Sequence, residues 1–183
     1  MENRSVPQRR RSPRRHGAVL SHLPHRIFVG LGSNLGDREA HLHRACDAMR
    51  QHPRMHLSRL SSVRETAPWG LIQQPHFLNA VAEVYTDLSP EPLLDALKDI
   101  ERRLGRSGEA MRWGPRAIDL DILLFDDLVF WSPRLQIPHA QLLQREFVLV
   151  PLVELAPDLC DPQTRRPLAG CLRELAETGS PEM

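Results

Sequence analysis

The stretch Arg112-Trp113-Gly114-Pro115-Arg116-Ala117-Ile118-Asp119-Leu120-Asp121-Ile122-Leu123-Leu124-Phe125 concentrates the chemistry of this chain. Its second half has the composition of a strand, in which successive side chains alternate faces. Asp119 and Asp121 are therefore expected on one face, and Leu120, Ile122 and Leu124 on the other. Two carboxylates side by side on a half-buried sheet repel one another unless a cation lies between them. The apolar neighbours predict a central, buried strand with the acids at its mouth. Carboxylate oxygens suit Mg²⁺, which takes one or two of them together with substrate phosphates. Arg106, Arg112, Arg116, Arg134 and Arg145 flank the pair, and guanidinium forks suit phosphate oxygens. Lys98 is the only lysine among 24 Lys and Arg, so arginine number alone decides little. A lone Asp-x-Asp is also common, so the metal and polyphosphate reading rests on the conjunction.

A second constellation points to different chemistry. Trp69, Phe77 and Phe147 are scarce rings in a chain that is 5% aromatic, and Asn79 offers an amide that both donates and accepts. Rings plus an amide can hold a flat heterocycle, with core packing the alternative for both phenylalanines. His139, after Pro138, could reach a phosphate, with an incidental loop histidine the alternative. Gly30-x-Gly32-x-x-x-Gly36 departs from dinucleotide-binding spacing. There is no nucleophile elbow and no Cys/His zinc spacing.

The elements that must position these residues read as strand, helix, strand, strand, helix, strand. Ile27–Gly32 reads as a buried strand, followed by a helix that Asp37 caps and that runs towards Pro53. Met55–Glu65 alternates as one strand, residues 66–75 form a long loop, and His76–Thr86 forms the third strand. Ser89 and Pro90 open a second helix, with its stripe at Leu93, Leu94, Leu97, Ile100 and Leu104, and Gly105 ends it. Beyond Asp119–Phe125 come a turn at Asp126-Asp127, a short strand near Leu128–Trp131, a helix over Val148–Leu155 and a minor one near Leu168–Ala176. The fold class is α+β: a ferredoxin-like βαββαβ core, an antiparallel sheet with helices packed on it.

Charge divides the chain. Residues 1–26 hold seven arginines and one acid, and the rest carries 17 basic against 22 acidic side chains. Residues 1–25 read as a disordered, basic, Arg-rich tail, and 26–178 as one domain. Three cysteines without paired spacing point to a reducing, cytoplasmic setting. No apolar run reaches membrane-spanning length.

Several motifs in order resemble one family, the 6-hydroxymethyl-7,8-dihydropterin pyrophosphokinases, over about Arg26 to Pro157. They are Gly32-Ser33-Asn34-Leu35, Pro75-His76-Phe77-Leu78-Asn79, Arg112-Trp113-Gly114-Pro115-Arg116-x-x-Asp119-Leu120-Asp121-Ile122, Ile137-Pro138-His139 and Arg145-x-Phe147. The resemblance implies transfer of pyrophosphate from ATP to the pterin hydroxymethyl group, releasing AMP, in folate biosynthesis. It implies a catalytic set of Arg106, Arg116, Asp119 and Asp121, with two Mg²⁺ ions on the two aspartates. ATP would meet Lys98, Glu101, Arg106, Trp113, Arg116, Ile122, Arg134, His139 and Arg145. The pterin would meet Gly32, Thr66, Ala67, Pro68, Trp69, Phe77, Asn79, Trp113 and Phe147, with its ring between the two phenylalanines. Trp113 would lie on a loop that closes over both substrates. The chain departs from the family at Gly108 and Glu109, where basic residues are frequent, and at Ala140 and Phe77, where aromatic and Tyr residues are frequent.

ATP and the pterin are thus the expected partners of a monomer, with no membrane and no nucleic acid. The alternative is an RRM-like RNA-binding module with a basic arm, since the ferredoxin-like plan is shared. Against it, the strands lack an aromatic-rich RNA-binding pattern and the body is acidic. A nucleotide-sugar transferase using Asp-x-Asp would need a second nucleotide-binding domain.

Overall fold

Nine residues, His25–Ser33, form β1, the strand on which the sheet is built, and its run of buried residues from Ile27 onward reflects cover on both faces. The computed structural model describes residues 23–68, 73–105 and 114–178. Helix α1 (Arg38–Gln51) follows, its first turn closed by the Asp37 carboxylate, which accepts from the Ala40 N–H at 3.0 Å. Strands β2 (Met55–Leu60), β3 (Arg64–Thr66) and β4 (Phe77–Thr86) come next, then α2 (Pro90–Arg103) and β5 (Asp119–Phe125). The remainder is β6 (Phe130–Trp131), β7 (Gln136–Ile137), a 3₁₀ turn at Leu142–Gln144, α3 (Glu146–Leu155) and α4 (Leu168–Thr178).

The main sheet has the order β2-β4-β1-β5, with β3 also on β4, and every pairing is antiparallel. Counting β2 and β3 as one broken strand, this is the expected ferredoxin-like βαββαβ core. Helices α1 and α2 cover one face, burying Leu42, Met49, Leu93 and Leu97 against Ile27, Val29, Leu120 and Ile122. Helices α3 and α4 cover the other, burying Leu149, Leu152 and Leu168 against Phe28, Val81, Leu123 and Leu124. Each wholly buried leucine contributes about 1.5–3 kcal/mol.

Several sequence expectations are corrected in detail. The single strand over Met55–Glu65 is two strands, because the chain breaks at Ser61, whose N–H still donates to Val81 O at 2.9 Å and whose hydroxyl accepts from the Val81 N–H at 2.9 Å. Ser89 stands at the head of α2, but its side chain makes no capping bond; its carbonyl accepts from the Leu93 N–H. Helix α3 starts two residues before Val148, and β7 was not anticipated. Most consequentially, β5 is an edge strand rather than a central one. It reads as continuous apolar sequence because helices cover both of its faces, and because a bulge interrupts its alternation. Phe28 pairs with Leu124 and Val29 with Ile122, leaving Leu123 as the extra residue. Leu124 therefore packs beside Leu123 under α3 and α4, not beside Leu120 and Ile122 as strict alternation requires.

Candidate active site

The bulge leaves Asp119 and Asp121 on the sheet face that carries α3, in register with two glycines of β1. Asp119 pairs with Gly32, which pairs with Asn79 of β4; Asp121 pairs with Gly30, which pairs with Val81. Glycine at these two positions keeps the sheet floor open. A Cβ on Gly32 would stand 3.1 Å from Asn79 Oδ1 and 3.7 Å from Phe77 Cδ1, and one on Gly30 would stand 3.3 Å from Leu123. Over this floor lies a cavity of about 270 Å³, bounded by Thr66, Phe77, Asn79, Lys98, Arg116, Asp119, Asp121, His139, Arg145 and Phe147.

Each wall has a local cause. On the apolar side, Thr66 Oγ1 accepts from Asn79 Nδ2 at 2.7 Å, which fixes the amide with its oxygen over Gly32. Phe147, near the start of α3, lies beneath the Arg145 guanidinium, 5.6 Å from its ring centroid. On the polar side, Arg116 Nη1 donates to Asp119 Oδ2 at 2.7 Å. Lys98 Nζ donates to Glu101 Oε1 at 2.8 Å and to Leu120 O at 3.1 Å, and lies 4.0 Å from Asp119 and 3.8 Å from Asp121. Glu101, 1% exposed, also accepts from the Leu120 N–H at 2.6 Å, and Leu123 O accepts from the His139 N–H at 3.0 Å. These groups of α2 and of the His139 loop thus satisfy backbone groups of edge strand β5.

The electrostatics follow from burial. Desolvation raises the Glu101 carboxyl above its ordinary value, with Lys98 pulling the other way. Burial lowers His139, against the opposing pull of Asp121, 3.9 Å away. Its Nδ1 accepts from the Gln141 N–H at 3.2 Å, the arrangement of a neutral ring with its proton on Nε2, towards Asp121. Burial also lowers Arg145, whose guanidinium pairs with Gln141.

Of the residues expected at the site, Gly32, Thr66, Ala67, Phe77, Asn79, Lys98, Arg116, Asp119, Asp121, His139, Arg145 and Phe147 line the one cavity. Glu101 reaches it through Lys98. Pro68 does not line it. The Ile122 side chain is packed under α1 and α2, and Arg134 is paired with Asp95 of α2. Trp69, Arg106 and Trp113 fall outside the described residues, as do Gly108, Glu109 and Arg112. Sequence reasoning gave Asn34 no role, yet it is 1% exposed and joins three segments. Its N–H and Oδ1 bond the backbone of Arg116, and its Nδ2 donates to Gln74 and to Pro75 O. Its place in the Gly32-Ser33-Asn34-Leu35 motif was the available signal, although the motif does not name its partners. Gln141 and Gly30 were likewise unassigned.

The family model described as 7,8-dihydro-6-hydroxymethylpterin-pyrophosphokinase (HPPK) matches residues 28–157. The chain belongs to the HPPK family. Among curated relatives, the 2-amino-4-hydroxy-6-hydroxymethyldihydropteridine pyrophosphokinase of Pseudomonas aeruginosa is 45% identical over 140 residues, 76% of this chain and 86% of the relative. The same enzyme of Aquifex aeolicus is 39% identical over 142 residues, covering 78% and 87% of the two chains. Among solved structures, the Plasmodium falciparum HPPK-DHPS wild type with pteroate superposes with a TM-score of 0.67 at 14% identity. It covers 84% of this chain and 42% of that one, so the HPPK chain here spans less than half of that larger protein. At that identity the likeness shows the fold alone.

Proposed function

We propose that the cavity binds ATP and 6-hydroxymethyl-7,8-dihydropterin side by side, with Asp119 and Asp121 between them. The enzyme transfers pyrophosphate from ATP to the hydroxymethyl group, and AMP is released. The hydroxymethyl oxygen forms a bond to the β-phosphorus, the bond from that phosphorus to the α-phosphate oxygen breaks, and the hydroxyl proton is lost. The observation that carries this reading is the register of the sheet. One cross-strand row, Asn79–Gly32–Asp119, links an amide that can read a heterocycle edge to a carboxylate that can hold a metal.

Among the described residues no three His, Cys, Asp or Glu side chains form a metal-holding cluster. The donor set nevertheless fits Mg²⁺: two carboxylates on one strand face, leaving further coordination positions for phosphate oxygens. Asp119 and Asp121 would hold two Mg²⁺ ions, which neutralise phosphate charge when bound. Arg116 and Arg145 would hold phosphate oxygens, and neutral His139 would donate from Nε2. Phe77 and Phe147 would clasp the pterin, and Asn79 with Thr66 would read its edge. Arg106 and Trp113 complete the proposal on the ATP side and on a closing loop, and Trp69 on the pterin side.

A monomeric, cytoplasmic enzyme comprising residues 26–178, with a basic tail at 1–25, belongs to the same proposal. No helix among the described residues is long and apolar enough to cross a membrane. The test is product identity. Mass spectrometry of a reaction with Mg-ATP and the pterin alcohol should show the pterin diphosphate and AMP in equal amounts. A monophosphorylated pterin with ADP would refute pyrophosphoryl transfer.

A further inference from the structure

The lone lysine of the chain lies within 4.0 Å of both carboxylates proposed to hold the divalent ions. Lys98 and Glu101 lie one helical turn apart on α2, facing the outer edge of β5. The Lys98 ammonium has its hydrogen bonds with Glu101 and the Leu120 carbonyl, and it sits 4.0 and 3.8 Å from the Oδ1 atoms of Asp119 and Asp121. Its position is set rather than loosely sampled, because Glu101 is 1% exposed and is itself tied to the Leu120 N–H. Arg116 pairs directly with Asp119 at 2.7 Å, and Lys98, within 4.0 Å of both carboxylates, adds a charge that offsets the mutual repulsion of the two aspartates.

We propose that Lys98 is a positioning residue that acts as a built-in counter-ion of the Asp119/Asp121 pair, holding the two carboxylates together and lowering their affinity for a free divalent cation. A cation arriving at the pair meets a fixed positive charge a few ångströms from its ligands, a repulsion weakened but not removed by solvent. A polyphosphate adds oxygen ligands and negative charge, so the penalty weighs most on the nucleotide-free protein. The inference rests on the metal assignment proposed above.

The test is titration of the full-length, nucleotide-free protein with Mn²⁺, following the free-ion signal by electron paramagnetic resonance. Lys98→Gln should bind Mn²⁺ at least about fivefold more tightly than the parent, while Lys98→Arg, which keeps the charge, should stay within about twofold of it. A thermal melt of each variant confirms folding. Equal affinity in Lys98→Gln and the parent would overturn the counter-ion role, as would equal tightening in both variants. If the parent bound no Mn²⁺ with or without a non-hydrolysable ATP analogue, the metal assignment would fail with it.

Discussion

Asp121 shares its strand face with Asp119, and its side chain is 36% exposed and belongs to neither hydrophobic cluster. Asp121→Ala is therefore expected to lower kcat by about a thousandfold or more while leaving the melting temperature within a few degrees of the parent. A variant retaining near-full turnover would contradict the metal role. On the sheet floor, Gly32→Ala sets a methyl group 3.1 Å from Asn79 Oδ1, where the pterin edge is proposed to bind. Steady-state kinetics should show KM for the pterin rising about tenfold, with KM for ATP within about twofold. Equal changes in both would place the heterocycle elsewhere. At this scale the two aspartates, Phe77, Asn79 and Phe147 were legible, because rare residue types at fixed spacing survive without a structure. Asn34 was not. Its importance comes from bonds to Arg116, 82 positions away, and to Gln74, 40 positions away, and nothing local to residue 34 encodes them.

At the scale of elements, the end of the sheet away from the cavity is held by charge. Glu83 of β4, 2% exposed, accepts from Arg26 of β1 at 2.6 Å and from Arg59 of β2 at 2.5 Å, clamping three strands. Burial pushes the Glu83 carboxyl up, but the two arginine hydrogen bonds outweigh it, and its folded pKa is lowered. Its contribution to stability is thus complete above the unfolded value of about 4.3 and is lost as pH falls through the lower folded value. Glu83→Gln is expected to cost on the order of 2 kcal/mol at pH 7, since both arginines are partly solvated. The variant should also lose less stability than the parent on acidification below about pH 4. Urea unfolding at pH 7 and pH 3 checks both, and an unchanged pH slope would contradict the clamp. Strand and helix order were readable from periodicity. The edge position of β5 was not, because a strand covered on both faces has the same composition wherever it lies in the sheet. The bulge at Leu123 was hidden for a related reason: consecutive leucines do not show which of them breaks the alternation.

For the whole molecule, the proposed catalytic unit is residues 26–178, and most of the Arg-rich head lies outside the described residues. The first strand begins at His25, whose Nδ1 bonds Asp126 at 2.8 Å, so a chain beginning at Leu23 keeps every described element. Its kcat and both KM values are expected to match the full chain within about twofold; a tenfold loss would assign the head a catalytic part. The central claim concerns the chemistry that joins the two walls of the cavity. It is tested most directly by measuring AMP release from Mg-ATP with and without 6-hydroxymethyl-7,8-dihydropterin. AMP should form in proportion to the pterin added, and AMP that stays at the pterin-free background would contradict the account.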